Sequence, residues 1–277
     1  MTRKNKWKPL VIVRGGGDLA TGTIHRLWSA GFRVFVLETE YPASIRRQVS
    51  VSEAVYEGKT EVEGMCALLI RSPEERYDAW EADAVPVLVD PEGNSIKELR
   101  PDVVVDAILA KKNLGTSKDM APLTIGLGPG FIAGEDVDVV IETKRGHNLG
   151  RVIRFGNAVP NTGIPGNIGG YTKERVLHAE EEGTLYHVCA IGDVVEKGEK
   201  IAYIQKEDQE IPVYATISGI IRGLIRDGYP VTKGFKIADI DPRKEELENC
   251  FTISDKARCI AGSVLEVICG KCLDFIS

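Results

Sequence analysis

The sequence of 277 residues predicts an α/β fold with a parallel-sheet domain, a small β module and a C-terminal helix. Three observations predict it. Short apolar, β-branched runs alternate with helical patterns through the first half of the chain, which is the element order of a doubly wound parallel sheet. Two similar segments recur after residue 190, each with strands around glycine turns. An apolar stripe at helical spacing follows Ser254.

The first element is a βαβ unit with a glycine-rich turn. Its strands are predicted at Leu10–Val13 and Phe32–Leu37, and its helix runs between Asp18 and Gly31. The turn reads Gly-x-Gly-x-x-Ala from Gly15, which matches the dinucleotide fingerprint. In that fingerprint the glycines permit a tight turn and a close approach to a pyrophosphate, and the helix start offers free N–H groups. This pattern predicts a Rossmann-like domain; a flavodoxin-like turn that merely needs glycine is the alternative.

The same turn predicts a nucleotide site. Glu38 stands about 20 residues after the turn, where an acid commonly binds the ribose hydroxyls. An acid there favours NAD over NADP, whereas Arg46 and Arg47 weaken that preference because guanidinium groups suit phosphate. A solvated basic pair is the other interpretation of the two arginines. The predicted cofactor-binding residues are Gly15, Gly16, Gly17, Asp18, Leu19, Glu38, Arg46, Arg47 and Arg145.

The rest of the first domain, predicted to cover residues 1–175, alternates strands with helices and ends in a glycine-rich extension. A helix is predicted to start at Ser72, and a short strand at Ala54–Tyr56. His147 lies in a glycine-bounded loop beside Arg145 and is the candidate catalytic acid or base, because histidine titrates near neutrality. An exposed loop histidine without a role is the alternative.

The β module is predicted from an internal repeat. Gly192–Ile204 and Gly228–Ile240 are identical at eight positions, which suggests two quasi-symmetric halves of a small β-sandwich over residues 176–243. The pattern resembles the biotinyl/lipoyl carrier fold, whose cofactor lysine stands at a hairpin tip. Asp208 stands at that place here, so no covalent biotin or lipoate is expected and a structural or docking role is predicted.

The last segment, 244–277, is predicted to form a helix that packs on the sheet or on a second copy of the chain, so a homodimer stays open. Cys269 and Cys272 form a C-x-x-C pair. A structural zinc site needs a second close pair, and Cys250 and Cys259 are too far apart to supply it. Free thiols are therefore favoured, and no metal is predicted.

Composition excludes several classes of protein. The formal net charge of −6 argues against nucleic-acid binding. No apolar run approaches the roughly 20 residues of a membrane helix, and the basic start lacks the apolar stretch of a signal peptide. Six cysteines scattered over a long chain are unlike a secreted disulfide framework. We therefore expect a cytoplasmic location without membrane or nucleic-acid partners.

Several long motifs resemble one family over nearly the whole chain. They are VIVRGGGDLATGTIHRL, SIRRQVSVSEAVYEG, VVVDAILAKKNLGT, TIGLGPGFIAGEDVDVVIETKRGHNLGRVI, PNTGIPGNIGGY and FTISDKARCIAG. These segments resemble the YqeB-type accessory proteins of selenium-dependent molybdenum hydroxylases, whose Rossmann portion is similar to the XdhC-type xanthine dehydrogenase accessory proteins. The resemblance implies a maturation factor whose partner is the hydroxylase apo-enzyme.

The expected function is thus maturation of a selenium-dependent molybdenum hydroxylase, with NAD, NADP or a pterin-nucleotide molybdenum cofactor bound at the glycine turn. Two alternatives stay open. An NAD(P)-dependent oxidoreductase would need His147 beside the nicotinamide. A non-catalytic scaffold would use the β module to dock a hydroxylase.

Overall fold

The computed structural model describes residues 8–161, 163 and 166–274, with side chains up to Lys271. These residues form two compact units. The first comprises Met1–Pro42, Ser50–Asn161 and Ile253–Ser277, and the second comprises Ala43–Val49 and Thr162–Thr252. The second unit extends from Thr162 to Thr252 and includes Ala43–Val49, whereas the sequence placed its divisions after residues 175 and 243.

The first unit contains strands β1–β11 and all the described α-helices. The strands are β1 (Leu10–Arg14), β2 (Arg33–Glu38), β3 (Lys59–Val62), β4 (Met65–Ile70), β5 (Val85–Val89), β6 (Val103–Asp106), β7 (Leu123–Leu127), β8 (Ile132–Ala133), β9 (Val139–Ile141), β10 (Val152–Ile153) and β11 (Gly156–Asn157). The helices are α1 (Asp18–Ser29), α2 (Ala54–Glu57), α3 (Arg76–Glu81), α4 (Ile96–Leu99) and α5 (Asp255–Asp274).

Nine of these strands form one sheet in the order β10-β9-β7-β6-β1-β2-β5-β4-β3. Strands β2, β5 and β4 lie on one side of β1, and the chain then crosses to β6 on the other side of β1. The gap between the carboxyl ends of β1 and β6 is therefore a topological switch point, where open α/β sheets commonly bind ligands.

Each face of the sheet has its own core. Ile24 of α1 and Ile260 of α5 pack on one face with Val11 and Val13. Phe35 and Ile96 pack on the other face with Ile12. The alternation of Val11, Ile12 and Val13 between the two cores follows from the period of two along a strand buried on both faces.

The structure corrects the expectation of a Rossmann-like parallel sheet. Both edge strands are antiparallel, β3 against β4 and β10 against β9. The connection between β5 and β6 carries only the four-residue α4, and that between β6 and β7 only a 3₁₀ turn at Lys118–Met120. The sheet is therefore mixed, and two of its connections lack a full crossover helix. Only the broader prediction of an α/β fold is confirmed. The predicted strand at Ala54–Tyr56 is also wrong, since these residues lie in α2.

The second unit contains two four-stranded antiparallel sheets, ordered β12-β19-β17-β14 and β16-β15-β13-β18. Their strands are β12 (Val176–His178), β13 (Gly183–His187), β14 (Val194–Val195), β15 (Lys200–Lys206), β16 (Gln209–Tyr214), β17 (Gly219–Leu224), β18 (Tyr229–Val231) and β19 (Lys236–Asp241). Leu185, Ile204, Ile221 and Ile240 are among the fully buried residues of their shared core.

The internal repeat is visible in the backbone. The repeat glycines Gly198 and Gly234 have φ of 87° and 81°, and each lies in the turn between two strands of its copy. The first copy supplies β14 to one sheet and β15 to the other, and the second copy supplies β18 and β19 in the reverse sense.

The label of a biotinyl/lipoyl-like module is nevertheless corrected. The β15–β16 hairpin turns at Glu207 and Asp208, so its tip carries acids where a carrier has its lysine. The neighbouring Lys206 is ion-paired with Glu181 at 3.1 Å. The prediction that is retained is a β module made of two antiparallel sheets, to which both copies of the repeat contribute strands.

Candidate functional site

The glycine turn after β1 is closed by the acid predicted to bind ribose. The N–H of Gly16 donates to Glu38 Oε2 at 2.7 Å, and Thr39 N–H donates to Glu38 Oε1 at 2.8 Å. Burial raises the pKa of Glu38, and the hydrogen bonds from Thr39 and Gly16 oppose that rise. The Glu38 carboxylate thus accepts the Gly16 N–H, a group of the turn that was predicted to bind phosphate, and it holds the turn in place.

One side of the turn is also covered by the segment before α2. Ser52 N–H donates to the carbonyl of Gly16 at 2.9 Å, and Val51 N–H donates to Thr21 Oγ1 at 3.0 Å. A Cβ on Gly16 would lie 3.0 Å from Ser52 N. Gly16 is therefore required by the close packing of this segment, independently of any ligand.

The structure does not bring the predicted arginines to the glycine turn as free ligands. Arg46 belongs to the second unit, where its Nη2 donates to the carbonyls of Asn249 and Thr252 at 2.8 and 3.0 Å. Arg47 Nε donates to the Leu224 carbonyl at 2.9 Å in the same unit. Arg145 lies in the first unit and binds Asp255 through both terminal nitrogens at 2.6 and 2.8 Å.

The remaining predicted residues divide between the turn and an outer loop. Gly15 has φ of 94° and donates its N–H to the Leu37 carbonyl at 2.7 Å. Gly17 is the N-cap of α1, and Asp18 Oδ1 accepts the N–H of Leu19 at 2.8 Å. His147, the candidate acid or base, is exposed in the loop after β9.

Glycines hold the carboxyl ends of four neighbouring strands in contact. A Cβ on Gly15 would lie 3.0 Å from the Ala107 carbonyl oxygen, which follows β6. A Cβ on Gly130 would lie 2.7 Å from Lys112 N, and one on Gly128 would lie 2.5 Å from Thr143 Oγ1. The distances at Gly130 and Gly128 are shorter than real Cβ atoms show, and the distance at Gly15 is tighter than most, so these glycines permit the segments after β1, β6, β7 and β9 to pack together.

A buried polar network anchors the loop after β6. Arg14 Nη1 donates to Thr116 Oγ1 at 2.6 Å, and Thr116 Oγ1 donates to Asp106 Oδ2 at 2.6 Å. Burial raises the pKa of Asp106, although the hydrogen bond from Thr116 and the Arg14 charge oppose that rise. Within this loop Leu109 and Lys111 have φ of 60° and 63°. Such strained backbone persists where surrounding structure holds it, often at functional sites.

Lys256 is the ionisable group at this edge that the sequence reading missed. It is the second residue of α5, is half-buried, and lies within the electrostatic reach of Asp18 and Glu142. Burial lowers the pKa of its ammonium and Arg145 lowers it further, whereas Asp18, Glu142 and Asp255 oppose this. Its position at a helix start, where a cation is unfavourable, was a sequence signal that could have drawn attention to it.

The edge therefore combines an amine, two carboxylates and backbone held by close contacts, a set suited to binding an anion and moving protons. Among the described residues, no cluster of three His, Cys, Asp or Glu side chains could hold a metal ion. Cys250, Cys259 and Cys269 are free thiols, and the side chain of Cys272 lies outside the described residues.

No family model matches the chain. The uncharacterized protein YqeB of Escherichia coli K12 is 50% identical over 260 residues, which cover 94% of this chain and 47% of that protein. The chain thus spans about half the length of this curated relative. In the part of the chain that the structure describes, no helix has the length and apolarity needed to cross a bilayer.

Three similar solved structures have other names. The ectoine utilization protein EutE (DoeB) of Ruegeria pomeroyi is 13% identical, with 85% of this chain and 86% of that chain covered and a TM-score of 0.27. A succinylglutamate desuccinylase of Silicibacter sp. TM1040 is 14% identical, with 85% of each chain covered and a TM-score of 0.25. An aspartoacylase family protein of Mesorhizobium loti is 9% identical, with 84% of this chain and 85% of that chain covered and a TM-score of 0.27.

The names of these structures differ from the keywords expected from the sequence, namely Rossmann, nucleotide-binding, NAD(P), biotinyl/lipoyl-like and molybdenum hydroxylase maturation. At such low TM-scores and identities the likeness supports no activity for this chain. The similarity to the E. coli protein is one of sequence.

Proposed function

We propose that the chain is a cytoplasmic accessory protein for a selenium-dependent molybdenum hydroxylase, and that its first unit binds an anionic small molecule at the carboxyl edge of the sheet. The accessory role follows from the sequence resemblance alone. The proposed partner is the hydroxylase apo-enzyme, and a phosphate-bearing form of the molybdenum cofactor is the proposed ligand.

The observation that carries the binding proposal is Lys256 at the switch-point edge. Its ammonium is partly withdrawn from water without a direct ion pair among the described residues, an arrangement that an anionic ligand would stabilise. The glycine-pinned segments after β1, β6, β7 and β9 give that edge a fixed shape. The Gly16 amide is not proposed as a phosphate site, because Glu38 occupies it.

Calorimetry on the full chain tests the proposal with pterin nucleotides, NAD, NADP and inorganic phosphate. We expect at least one anion to bind, and Lys256→Gln to weaken it by tenfold or more, about 1.4 kcal/mol. The matched control is Lys97→Gln, an exposed lysine on α4. Binding by none of the panel, or equal affinity in both variants, would refute the proposed site.

A scaffold role has separate support in the second unit. Tyr186 and Tyr203 stack at 5.4 Å on the outer face of β13 and β15, and Tyr214 is 52% exposed on β16. Exposed aromatic side chains are enriched where proteins bind partners. If this face docks the hydroxylase apo-enzyme, Tyr186→Ala combined with Tyr203→Ala will abolish co-purification while Lys256→Gln will not.

A further inference from the structure

The first unit has a cavity of about 320 Å³ at the amino edge of its sheet, opposite to the edge described above. It lies where β2 and β5 begin, at Arg33 and Val85, and it is bordered by Trp28 near the end of α1 and by Trp80 near the end of α3. This volume is at the lower limit of ligand pockets, which span roughly 300–1,000 Å³. The cavity therefore suits a small molecule rather than a dinucleotide.

Two indole rings are fixed in the wall of this cavity. Trp80 Nε1 donates to the Val34 carbonyl at 2.9 Å, and Trp28 Nε1 donates to the Asp83 carbonyl at 3.2 Å. Because both indole N–H groups are satisfied in this way, the rings offer the cavity apolar surface. Tyr77 lies edge-on to Trp80, with 5.9 Å between the ring centroids, and extends that surface. The walls suit an apolar or aromatic group of a ligand.

The cations of the cavity come from the starts of two neighbouring strands. Lys8 precedes β1 and Arg33 begins β2, and the Arg33 N–H donates to the Pro9 carbonyl at 3.2 Å, which joins the two segments. The Arg33 guanidinium stacks over the Trp80 ring, 5.4 Å from its centroid. Among the described residues, no oxygen accepts a hydrogen bond from this guanidinium or from the Lys8 ammonium. A guanidinium held against an indole, with its N–H donors unused, is preorganised to bind a carboxylate through two hydrogen bonds.

The acids of the cavity come from the connection between α3 and β5. Glu81 is the last residue of α3, and Asp83 follows two residues later. Both side chains are exposed, and within the described chain neither carboxylate accepts a hydrogen bond or forms an ion pair. α1 ends at Ser29, next to the lining residue Trp28, so the negative end of its dipole adds to the field of the acids. These groups attract an ammonium and repel a phosphate.

We propose that this cavity binds a zwitterionic α-amino acid with an apolar or aromatic side chain. Arg33 and Lys8 bind the carboxylate, Glu81 and Asp83 bind the ammonium, and the aromatic rings cover the side chain of the ligand. Two charges of each sign leave the lining with a net charge of zero, which complements a zwitterion better than an anion or a cation. The site lies at the opposite edge of the sheet from the anion site proposed above and is independent of it.

Calorimetry on the full chain tests the inference with L-phenylalanine, L-tryptophan and L-leucine. We expect at least one of them to bind with a Kd of about 1 mM or tighter. For the amino acid that binds, two analogues each lack one charge: the amine without the carboxylate and the acid without the ammonium. Each analogue should bind at least tenfold more weakly. Binding of none of the three amino acids, or full affinity for either analogue, would overturn the inference.

Two matched pairs of exposed residues locate the site. Arg33→Gln should weaken amino-acid binding at least tenfold, whereas Arg71→Gln, which changes an exposed arginine after β4, should not. Tyr77→Ala should weaken binding at least threefold, whereas Tyr41→Ala should not, although the two tyrosines are 56% and 61% exposed. Because all four side chains are on the surface, the variants should fold, which thermal denaturation verifies. Full affinity in Arg33→Gln or in Tyr77→Ala would place the amino acid outside this cavity and overturn the inference.

Discussion

Gly130 shows how a single missing Cβ shapes the edge of the sheet. Its φ is +116°, and an added Cβ would lie 2.7 Å from Lys112 N and 2.8 Å from Lys112 Cα. These are backbone atoms that cannot rotate away. We therefore expect Gly130→Ala to lower the free energy of unfolding of the first unit by roughly 2–4 kcal/mol, measured by urea denaturation.

Gly64 provides the matched control for Gly130. It also has positive φ, at +79°, but no atom lies within 4 Å of its ideal Cβ. Gly64→Ala should cost only the backbone strain, about 1 kcal/mol. Equal losses in the two variants would mean that the loop after β6 does not depend on contact with Gly130.

Glu38 should leave a signature in the pH dependence of stability. Its pKa is raised by burial above the ordinary 4.5, so the folded chain binds this proton more tightly than the unfolded chain. The Glu38 contribution therefore favours folding below about pH 4.5 and declines as the pH rises through the folded pKa. Glu38→Gln should remove that decline in urea midpoints measured from about pH 4 to about pH 8.

The exposed Glu61→Gln variant is the control, since it preserves the Glu38 carboxyl and the turn. At neutral pH Glu38→Gln also loses one of the two hydrogen-bond acceptors, for Gly16 or Thr39, because an amide has one oxygen. An unchanged pH profile in Glu38→Gln would contradict burial of an ionisable group at this position.

At the scale of elements, α1 and α5 pack closely because Gly22 faces Ala257. An alanine at position 22 would place its Cβ 2.7 Å from the Cβ of Ala257 and force the helices apart. We expect Gly22→Ala to lower the thermal midpoint although alanine has the better helix propensity. The expected loss is about 1–3 kcal/mol, as for overpacked cores.

Gly262, also helical and in α5, makes the opposite prediction. Nothing lies within 4 Å of its ideal Cβ, so Gly262→Ala gains helix propensity without a clash. It should stabilise the first unit by about 0.5–1 kcal/mol. Stabilisation by Gly22→Ala of similar size would show that the two helices do not constrain each other.

The local elements of the βαβ unit could be predicted because their signals are local. The helix predicted from Asp18 is α1, and the two predicted strands lie within one residue of β1 and β2. The role of Glu38 could not be predicted, because the sequence pattern of an acid about 20 residues after a glycine turn is identical whether the acid binds a ligand or the turn itself. Lys256 precedes the apolar stripe that predicted the last helix, and only its position at the helix start set it apart in the sequence.

The whole molecule depends on non-local contacts that no periodicity reveals. The repeat predicted two similar β segments, but nothing in the sequence assigns 43–49 to the second unit. There Leu224 N–H donates to the Ile45 carbonyl at 2.9 Å, and a Cβ on Gly223 would lie 2.8 Å from Ile45 Cγ2. An eight-strand unit thus takes in a segment more than 100 residues away in sequence.

Arg46 tests whether this segment belongs to the second unit's cooperative structure. Arg46→Ala would leave the Asn249 and Thr252 carbonyls without their guanidinium donor, at about 1–3 kcal/mol for each buried group. We expect faster amide hydrogen exchange in β17 and β19, with exchange in β1 and β6 unchanged because their core is separate. Arg46→Lys should recover part of the protection, since an ammonium can reach one carbonyl but cannot copy the planar fork. Equal loss of protection in β1 and β17 would mean that the two units unfold as one.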